Sequence, residues 1–346
     1  MTDAKQHQAL LIEANKEEAT FMRHALAPDF YLQVLPGTLD IRNGLDLSQV
    51  EALIPFIHSR VGAEEMAAMP QLKLIATRST GYDHIDLHAA ADRGIVVTNV
   101  PAYGETAVAE YTFALLLALS RKVHQAWATM RDGTSHIEEL RGFDLYGKTI
   151  GVVGAGAIGL HVIRIAKGFG MQALAYDVAH NRLLSEVLGF QYADLDELLA
   201  RSDVVTLHAP ALPSTYHMIN RERLSLMKRG AILINTARGS LIDTTALAWA
   251  LDTHILSGVG LDTIEGEEFL KHEEDLLNAT DTEEKLKLLV HNNMLLRRHN
   301  VLITPHIAFN SQEALHRILE TTVANIHAFL AGHPQNTVKV AQSRPS

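Results

Sequence analysis

The stretch Lys148–Asp177, KTIGVVGAGAIGLHVIRIAKGFGMQALAYD, leaves this chain few folds to choose from. Ile150–Val153 is a β-branched, glycine-bounded run that reads as a buried strand. Gly154, Gly156 and Gly159 follow in the GxGxxG spacing. Helical periodicity then covers Leu160–Phe169, and a second apolar strand, Met171–Tyr176, ends in Asp177. In such a unit the first glycine permits a tight turn, the second lets backbone approach a pyrophosphate, and the third lets the helix pack on the strand. Free N–H groups and the helix dipole favour an anion at the helix start. Glycine triplets also occur in plain turns. Here strand, helix, strand and acidic residue all fall in place, which makes this a dinucleotide-binding βαβ unit. Asp177 can accept hydrogen bonds from the adenosine ribose and would repel a 2′-phosphate. Val178, Ala179 and His180 offer no arginine to hold one, so the expected cofactor is NAD rather than NADP.

With 346 residues the chain has room for two domains, each with its own core. Thirty basic against forty acidic residues, a formal charge of −10, argue against a nucleic-acid or anionic-membrane surface. The absence of cysteine removes disulfides, thiolate metal sites and cysteine nucleophiles. The N-terminus MTDAKQHQ has no apolar signal core. The most apolar helix candidate, Ala107–Ser120, is interrupted by Glu110 and too short to span a bilayer of about 30 Å. It is expected to be a core or subunit-interface helix of a soluble, cytoplasmic protein.

The first hundred residues alternate strand-like runs (Ala9–Glu13, Tyr31–Val34, Leu53–Ile57, Leu72–Ala76, Ile95–Thr98) with polar or amphipathic stretches such as Lys16–Leu26. Such alternation means βαβ units and a parallel sheet. Asn99-Val100-Pro101 breaks the pattern as a candidate hinge, and one long helix, about Thr106–Met130, is expected after it. Beyond Asp177 the alternation resumes through strands Val204–His208, Ala231–Thr236, Gly258–Asp262 and Val301–Thr304. A final helix, Ser311–Leu330, is expected to return to the first domain. The predicted division is 1–101 with 306–346 as a substrate domain and 102–305 as an NAD-binding domain. The latter carries a charged helical insertion at about 268–299, which reads as a solvated face, or more sharply as a lid or subunit contact. Adjacent His272, Glu273, Glu274 and Asp275 point around a helix rather than converging, so no metal site is expected.

Three residues fall just beyond the C-terminal ends of strands, where open α/β sheets bind ligands. They are Arg238 in NTARG, Glu267 after GLDTIEG and His306 in TPHIAF. Alone each has a plain structural reading: a surface ion pair, a helix N-terminal carboxylate, a hydrogen-bonded core histidine. Together they form a constellation suited to 2-oxo acid reduction. A guanidinium holds the carboxylate and polarises the carbonyl. A histidine titrating near neutrality supplies the proton, and a carboxylate beside it favours the imidazolium and orients the ring.

The chain resembles the D-isomer-specific 2-hydroxyacid dehydrogenases along nearly its whole length, most of all their D-lactate dehydrogenase branch. The matching segments are RSTGYDHID (Arg78–Asp86), VPAYGETAVAE (Val100–Glu110), VGAGAIG (Val153–Gly159), NTARGSLID (Asn235–Asp243), GLDTIEGE (Gly260–Glu267) and TPHIAF (Thr304–Phe309). The resemblance implies an α/β protein of two Rossmann-like domains, a flavodoxin-like substrate domain and a doubly wound NAD-binding domain. It implies that Arg238 binds and polarises the substrate and that His306 is the acid/base paired with Glu267. The backbone at Ser79, Thr80 and Gly81 would take the substrate carboxylate, with Tyr103 and Phe309 walling a small pocket. The cofactor set becomes Gly154, Gly156, Ala157, Ile158, Gly159, Asp177, His208, Pro210, Thr236, Ala237, Arg238 and Asp262. The implied activity is NADH-dependent reduction of a small 2-oxo acid, pyruvate first, by a homodimer joined through its Rossmann domains. Hydroxypyruvate, glyoxylate, phenylpyruvate, branched-chain 2-oxo acids and phosphite remain open as substrates. A corepressor-like NAD(H) sensor is the alternative from another class, since such proteins keep the catalytic residues. The long stretch between Glu267 and His306 departs from the family pattern.

Overall fold

A computed structural model describes residues 6–42, 44–133, 137–267 and 282–339. The chain divides into two compact units, residues 1–103 with 311–346, and residues 104–310.

In the first unit, β1 (His7–Ile12), β2 (Phe30–Leu35), β3 (Ala52–Ile54), β4 (Leu74–Ala76) and β5 (Val96–Thr98) form a parallel sheet in the order β2-β1-β3-β4-β5. That is the flavodoxin-like order. Both faces are covered, as a parallel sheet requires. Leu10, Ile12, Leu53 and Ile75 pack on one side, and Leu11, Ile54, Leu74 and Ala76 on the other. The second side is closed by Met22 and Leu26 of helix Lys16–Leu26 and by Leu319 and Ile326 of the terminal helix Gln312–Leu330. The first of these helices opens with a capping box, the Asn15 side chain accepting the Glu18 N–H while the Glu18 carboxylate accepts that of Asn15.

In the second unit, β6 (Thr149–Val153), β7 (Gln172–Tyr176), β8 (Gln191–Tyr192), β9 (Val204–Leu207), β10 (Ala231–Asn235), β11 (Leu256–Leu261) and β12 (Val301–Ile303) make a seven-stranded parallel sheet. Its order, β12-β11-β10-β9-β6-β7-β8, reverses direction between β6 and β9. Crevices that bind ligands open at such a switch point. The two-domain α/β architecture anticipated from the sequence is the one observed.

Three details differ from expectation. The long helix is two helices, Glu105–Ser120 and Val123–Arg131, separated by Lys122 in the left-handed region (φ 51°, ψ 35°). The Ser120 carbonyl, which a continuing helix would give to the His124 N–H, instead accepts the Phe143 N–H at 2.9 Å. Helix Arg182–Leu188 and strand β8 were not anticipated; the helix exposes Leu183 and Val187, and two residues are too few to show alternation. Of the insertion, helix Thr282–Leu296 is observed, while 268–281, with His272, Glu273, Glu274 and Asp275, lie outside the described residues. Helix Glu105–Ser120 is a core element, burying Ala109, Phe113, Leu116 and Leu119 against Ile150, Val152 and Ile234. Among the described residues, no helix is long and apolar enough to cross a membrane.

Candidate active site

β10, β11 and β12 are neighbours, and each leads to one residue of the Arg238, Glu267, His306 set at the same edge of the sheet. The turn after β10 is built on Asn235, a fully buried residue. Its amide donates to the Arg238 carbonyl at 2.8 Å and its oxygen accepts the Ala237 N–H at 3.0 Å, so the side chain stands in for missing backbone partners. Arg238 is half-buried and donates from Nη1 to the Ala237 carbonyl at 2.8 Å. After β11 the chain turns through Gly266 (φ 71°) to Glu267. After β12, His306 sits at φ 58°, a region that costs a non-glycine residue about 1–2 kcal/mol.

The ring of His306 donates from Nδ1 to Glu267 Oε1 at 2.9 Å, with the two side chains 22% and 32% exposed. The carboxylate therefore fixes the ring and its tautomer, and Nε2 is the nitrogen left to exchange a proton with a ligand. Partial exposure keeps that nitrogen within reach of a small molecule.

The glycine loop fits a dinucleotide. Gly154 has φ 96°, and a Cβ there would lie 2.7 Å from the carbonyl carbon of His208, so the turns after β6 and β9 touch at the switch point. A Cβ on Gly159 would lie 2.0 Å from the Gly154 carbonyl oxygen, which is the close helix-to-strand packing the motif demands. At Gly156 a Cβ would meet nothing within 4 Å; this is the open side from which a pyrophosphate can approach. Helix Ala157–Gly168 begins there with no side-chain cap, leaving first-turn N–H groups such as those of Ala157 and Ile158 for an anion. Asp177 Oδ2 accepts the Ala155 N–H at 2.7 Å and Oδ1 that of Ala179 at 3.0 Å, which holds the carboxylate beside the loop. Near the reversal, His208 hydrogen-bonds through Nε2 with Thr206 Oγ1 at 2.9 Å, while its Nδ1 is buried without a protein partner. Burial pushes its pKa down to about 3, so the ring is neutral at working pH. Pro210 is exposed, Ala237 half-buried, and Thr236 buried with its hydroxyl 3.1 Å from that of Thr112.

In the first unit, Ser79, Thr80 and Gly81 follow β4. The Ser79 hydroxyl donates to the Gly81 carbonyl at 2.6 Å, that of Thr80 to the Val100 carbonyl at 2.7 Å. The Tyr103 carbonyl accepts from Arg317 Nε at 2.8 Å, and its side chain is half-buried. Phe309 is half-buried in the second unit, its Cβ 3.7 Å from where a Cβ on Gly104 would stand. Arg238, Glu267 and His306 thus share one unit, and Ser79, Thr80, Gly81 and Tyr103 belong to the other.

Residues 113–308 match the family described as D-isomer specific 2-hydroxyacid dehydrogenase, NAD binding domain. The chain belongs to the D-isomer-specific 2-hydroxyacid dehydrogenases. As a member it is an NAD-dependent oxidoreductase acting on small 2-hydroxy or 2-oxo acids. The structure of the pyruvate reductase of Chlamydomonas reinhardtii is 36% identical, with a TM-score of 0.85 over 95% of this chain and 98% of that one. D-lactate dehydrogenase from Aquifex aeolicus, solved with NAD and lactic acid, is 39% identical, with a TM-score of 0.81 over 94% and 96%. Glyoxylate reductase of Korarchaeum cryptofilum is 38% identical over 302 residues, 85% of each chain.

Two residues of the dehydrogenase have tasks that sequence reasoning missed. Asp262, assigned there to the cofactor, is fully buried, and its carboxylate fastens the His306 loop. Oδ1 accepts the Thr304 hydroxyl at 2.6 Å and the Ile307 N–H at 3.0 Å, Oδ2 accepts the Ala308 N–H at 2.8 Å, and its carbonyl accepts the His306 N–H at 3.0 Å. An aspartate directly after a buried run such as Gly258–Leu261 must find N–H donors, which is the signal that could have revealed it. Arg78, immediately before Ser79, is buried; Nη2 donates to the Ile12 and Glu13 carbonyls at 2.8 and 2.9 Å, and Nη1 lies 3.3 Å from Glu18 Oε2. Burial lowers its pKa from the ordinary value, opposed by Glu18 and Glu13. It ties the Ser79 loop to the end of β1.

Proposed function

We propose that the enzyme reduces pyruvate, or a 2-oxo acid close to it in size, to the D-2-hydroxy acid through Arg238, Glu267 and His306. The observation that carries this reading is the His306–Glu267 hydrogen bond of 2.9 Å at the sheet edge where Arg238 also emerges. Arg238 pairs with the substrate carboxylate and polarises the carbonyl through its fork of donors. The N–H groups at Ser79, Thr80 and Gly81 take the remaining carboxylate oxygen. When bound, NADH would supply the hydride for the reduction. Charge building on the carbonyl oxygen draws the proton from His306 Nε2, while Glu267 stabilises the imidazolium and holds the ring. In the oxidative direction neutral His306 accepts the hydroxyl proton.

The same reading gives the pyrophosphate to the Gly154, Gly156, Ala157, Ile158 and Gly159 loop and the adenosine ribose to Asp177. His208, Pro210, Thr236, Ala237 and Asp262 fall to the nicotinamide half. Residues 1–103 with 311–346 serve substrate binding, and 104–310 the cofactor. Tyr103 and Phe309 favour a small substrate. Relatives named for pyruvate, lactate and glyoxylate support the size class and leave the choice within it to experiment. Exposed Val123, Trp127 and Met130, at helical spacing on Val123–Arg131, support a homodimer through the cofactor-binding unit; light scattering should give twice the chain mass. Drawing on the NADH pool, the enzyme would work in the cytoplasm.

The test is NADH oxidation against pyruvate, glyoxylate, hydroxypyruvate, phenylpyruvate and branched-chain 2-oxo acids, with chiral analysis of the product. The highest kcat/KM should fall on pyruvate and the product should be D-lactate. His306→Asn should lose about 10²-fold or more in kcat with NADH affinity retained. A higher kcat/KM for glyoxylate or a larger acid overturns the substrate, and near-normal kcat in His306→Asn overturns the mechanism.

A further inference from the structure

The loop that carries Glu267 presents a second carboxylate, Glu265, to other partners. Its side chain is 19% exposed. Oε1 lies 2.8 Å from His217 Nε2 and accepts the Tyr216 hydroxyl at 3.3 Å, and Oε2 accepts the Thr244 hydroxyl at 3.3 Å. The Glu265 carbonyl accepts the amide of Asn292, a fully buried residue of helix Thr282–Leu296, at 2.9 Å.

His217 bonds to both catalytic turns. Its N–H donates to the Ser240 carbonyl at 2.8 Å, two residues past Arg238, while its ring meets Glu265, two residues before Glu267. To do this it adopts φ 48°, a left-handed conformation that a non-glycine residue enters at a cost, and the Tyr216 ring lies flat on the imidazole at 3.9 Å between centroids. The two turns already touch backbone to backbone. A Cβ on Gly239 would stand 2.1 Å from the carbonyl carbon of Ile264 and 2.3 Å from the Glu265 nitrogen. Contact of that kind limits approach but leaves the turns able to part or slide; a directional bond across them removes that freedom.

We propose that His217 and Glu265 are positioning residues, paired across the two turns so that Arg238 is held in register with the Glu267–His306 pair. This rests on the catalytic reading of those three residues given above. The chemistry demands such a device, because an arginine that orients the carbonyl and a histidine that protonates it must keep their spacing to within about 0.5 Å. A displacement of about 1 Å can cost on the order of 10²-fold in rate.

The experiment compares Glu265→Ala, Glu265→Gln and His217→Asn with His306→Asn and Arg238→Lys. Asparagine tolerates the left-handed backbone of His217 but is too short to keep the bond to Glu265. NADH affinity and stoichiometry by fluorescence titration, kcat and KM for pyruvate, and Tm are read for each. Glu265→Ala and His217→Asn should each lower kcat/KM for pyruvate by roughly ten- to a hundredfold with NADH stoichiometry and affinity retained. Glu265→Gln, whose amide oxygen still accepts from the imidazole, should recover most of the loss. The double variant Glu265→Ala with His217→Asn should be little worse than the poorer single one, because both remove the same link. Normal kcat/KM in Glu265→Ala beside collapsed His306→Asn and Arg238→Lys would overturn the clamp alone. So would a loss of activity matched by lost NADH sites and not rescued by glutamine, which marks a folding role. If His306→Asn and Arg238→Lys themselves stay active, the catalytic reading fails and the clamp with it.

Discussion

Replacing Asp262 by asparagine separates two roles that the residue could hold. The carboxylate accepts the Thr304 hydroxyl, the Ile307 N–H and the Ala308 N–H within a fully buried site. An asparagine amide offers one oxygen in place of two. With that oxygen turned to Thr304 and Ile307, its NH2 faces the Ala308 N–H, and two donors confront each other without an acceptor. The lost bond to a charged acceptor is worth about 1.5–3 kcal/mol, and a donor left buried and unpaired about 1–3 kcal/mol, so the site loses roughly 3–5 kcal/mol. The flipped amide is no better: the Thr304 hydroxyl can turn to accept from the NH2, but the Ile307 N–H is then the backbone donor left facing it. That loss exceeds the about 1–2 kcal/mol needed to hold His306 at its left-handed φ, so the loop should relax away from it. At about 1.4 kcal/mol per factor of ten, a penalty of about 3 kcal/mol on the productive His306 conformation lowers kcat by about 10²-fold. Pyruvate reduction gives kcat, fluorescence titration gives the NADH Kd, and urea unfolding gives the stability loss. Asp262→Asn with kcat within about twofold of wild type and a stability loss under about 1 kcal/mol would refute the loop-fastening argument, because the buried mismatch cannot be that cheap. Loss of NADH affinity with kcat retained would leave Asp262 its cofactor role alone.

Gly159→Ala should abolish NADH binding in a chain that still folds, since its Cβ would lie 2.0 Å from the Gly154 carbonyl oxygen and push the helix off the loop; unchanged NADH affinity would mean that the loop has room to spare. Asp177→Ala should erase the preference for NADH over NADPH while weakening NADH binding, because the carboxylate also braces the Ala155 N–H; a preserved preference would take the ribose away from Asp177. His208, half-buried with its Nδ1 cut off from water and its pKa lowered to about 3 by desolvation, binds no proton in the folded state at pH values where the unfolded chain binds one. Folding stability without coenzyme is therefore fully present above the unfolded histidine value of about 6.5 and declines as pH falls below it. The variant His208→Gln should flatten that decline in thermal unfolding; identical pH curves for the two proteins would mean that the ring charges freely in place.

The glycine loop was legible because three glycines, two strands and a terminal acid each carry a separate steric or electrostatic demand, and the observed clearances at Gly154, Gly156 and Gly159 meet the three steric ones. Arg238, Glu267 and His306 were legible as strand-end residues for a similar reason. Periodicity finds buried strands, and whatever follows a parallel strand lies at the ligand-binding edge. What escaped was local and tertiary. The break at Lys122 depends on Phe143 reaching the Ser120 carbonyl, a contact that no helix propensity records. The tasks of Asp262 and Arg78 depend on which N–H and carbonyl groups surround them after folding. His217 carries no motif at all, and its place is known only once Ser240 and Glu265 lie on either side of it.

The terminal helix Gln312–Leu330 covers a face of the first sheet with Leu319 and Ile326, next to Leu11, Ile54 and Leu74. A chain emerging from the ribosome therefore synthesises all five strands of that sheet long before the helix that covers them exists. Residues 104–310 form a continuous segment and can collapse as soon as they are made. The strands made first must wait with part of one apolar face uncovered, since helix Lys16–Leu26 closes only its share of it, and the order of synthesis is not the order of completion. The unit whose strands are made first is closed after the cofactor-binding unit, and a chain truncated near residue 310 has a continuous cofactor-binding unit joined to an unclosed, aggregation-prone sheet.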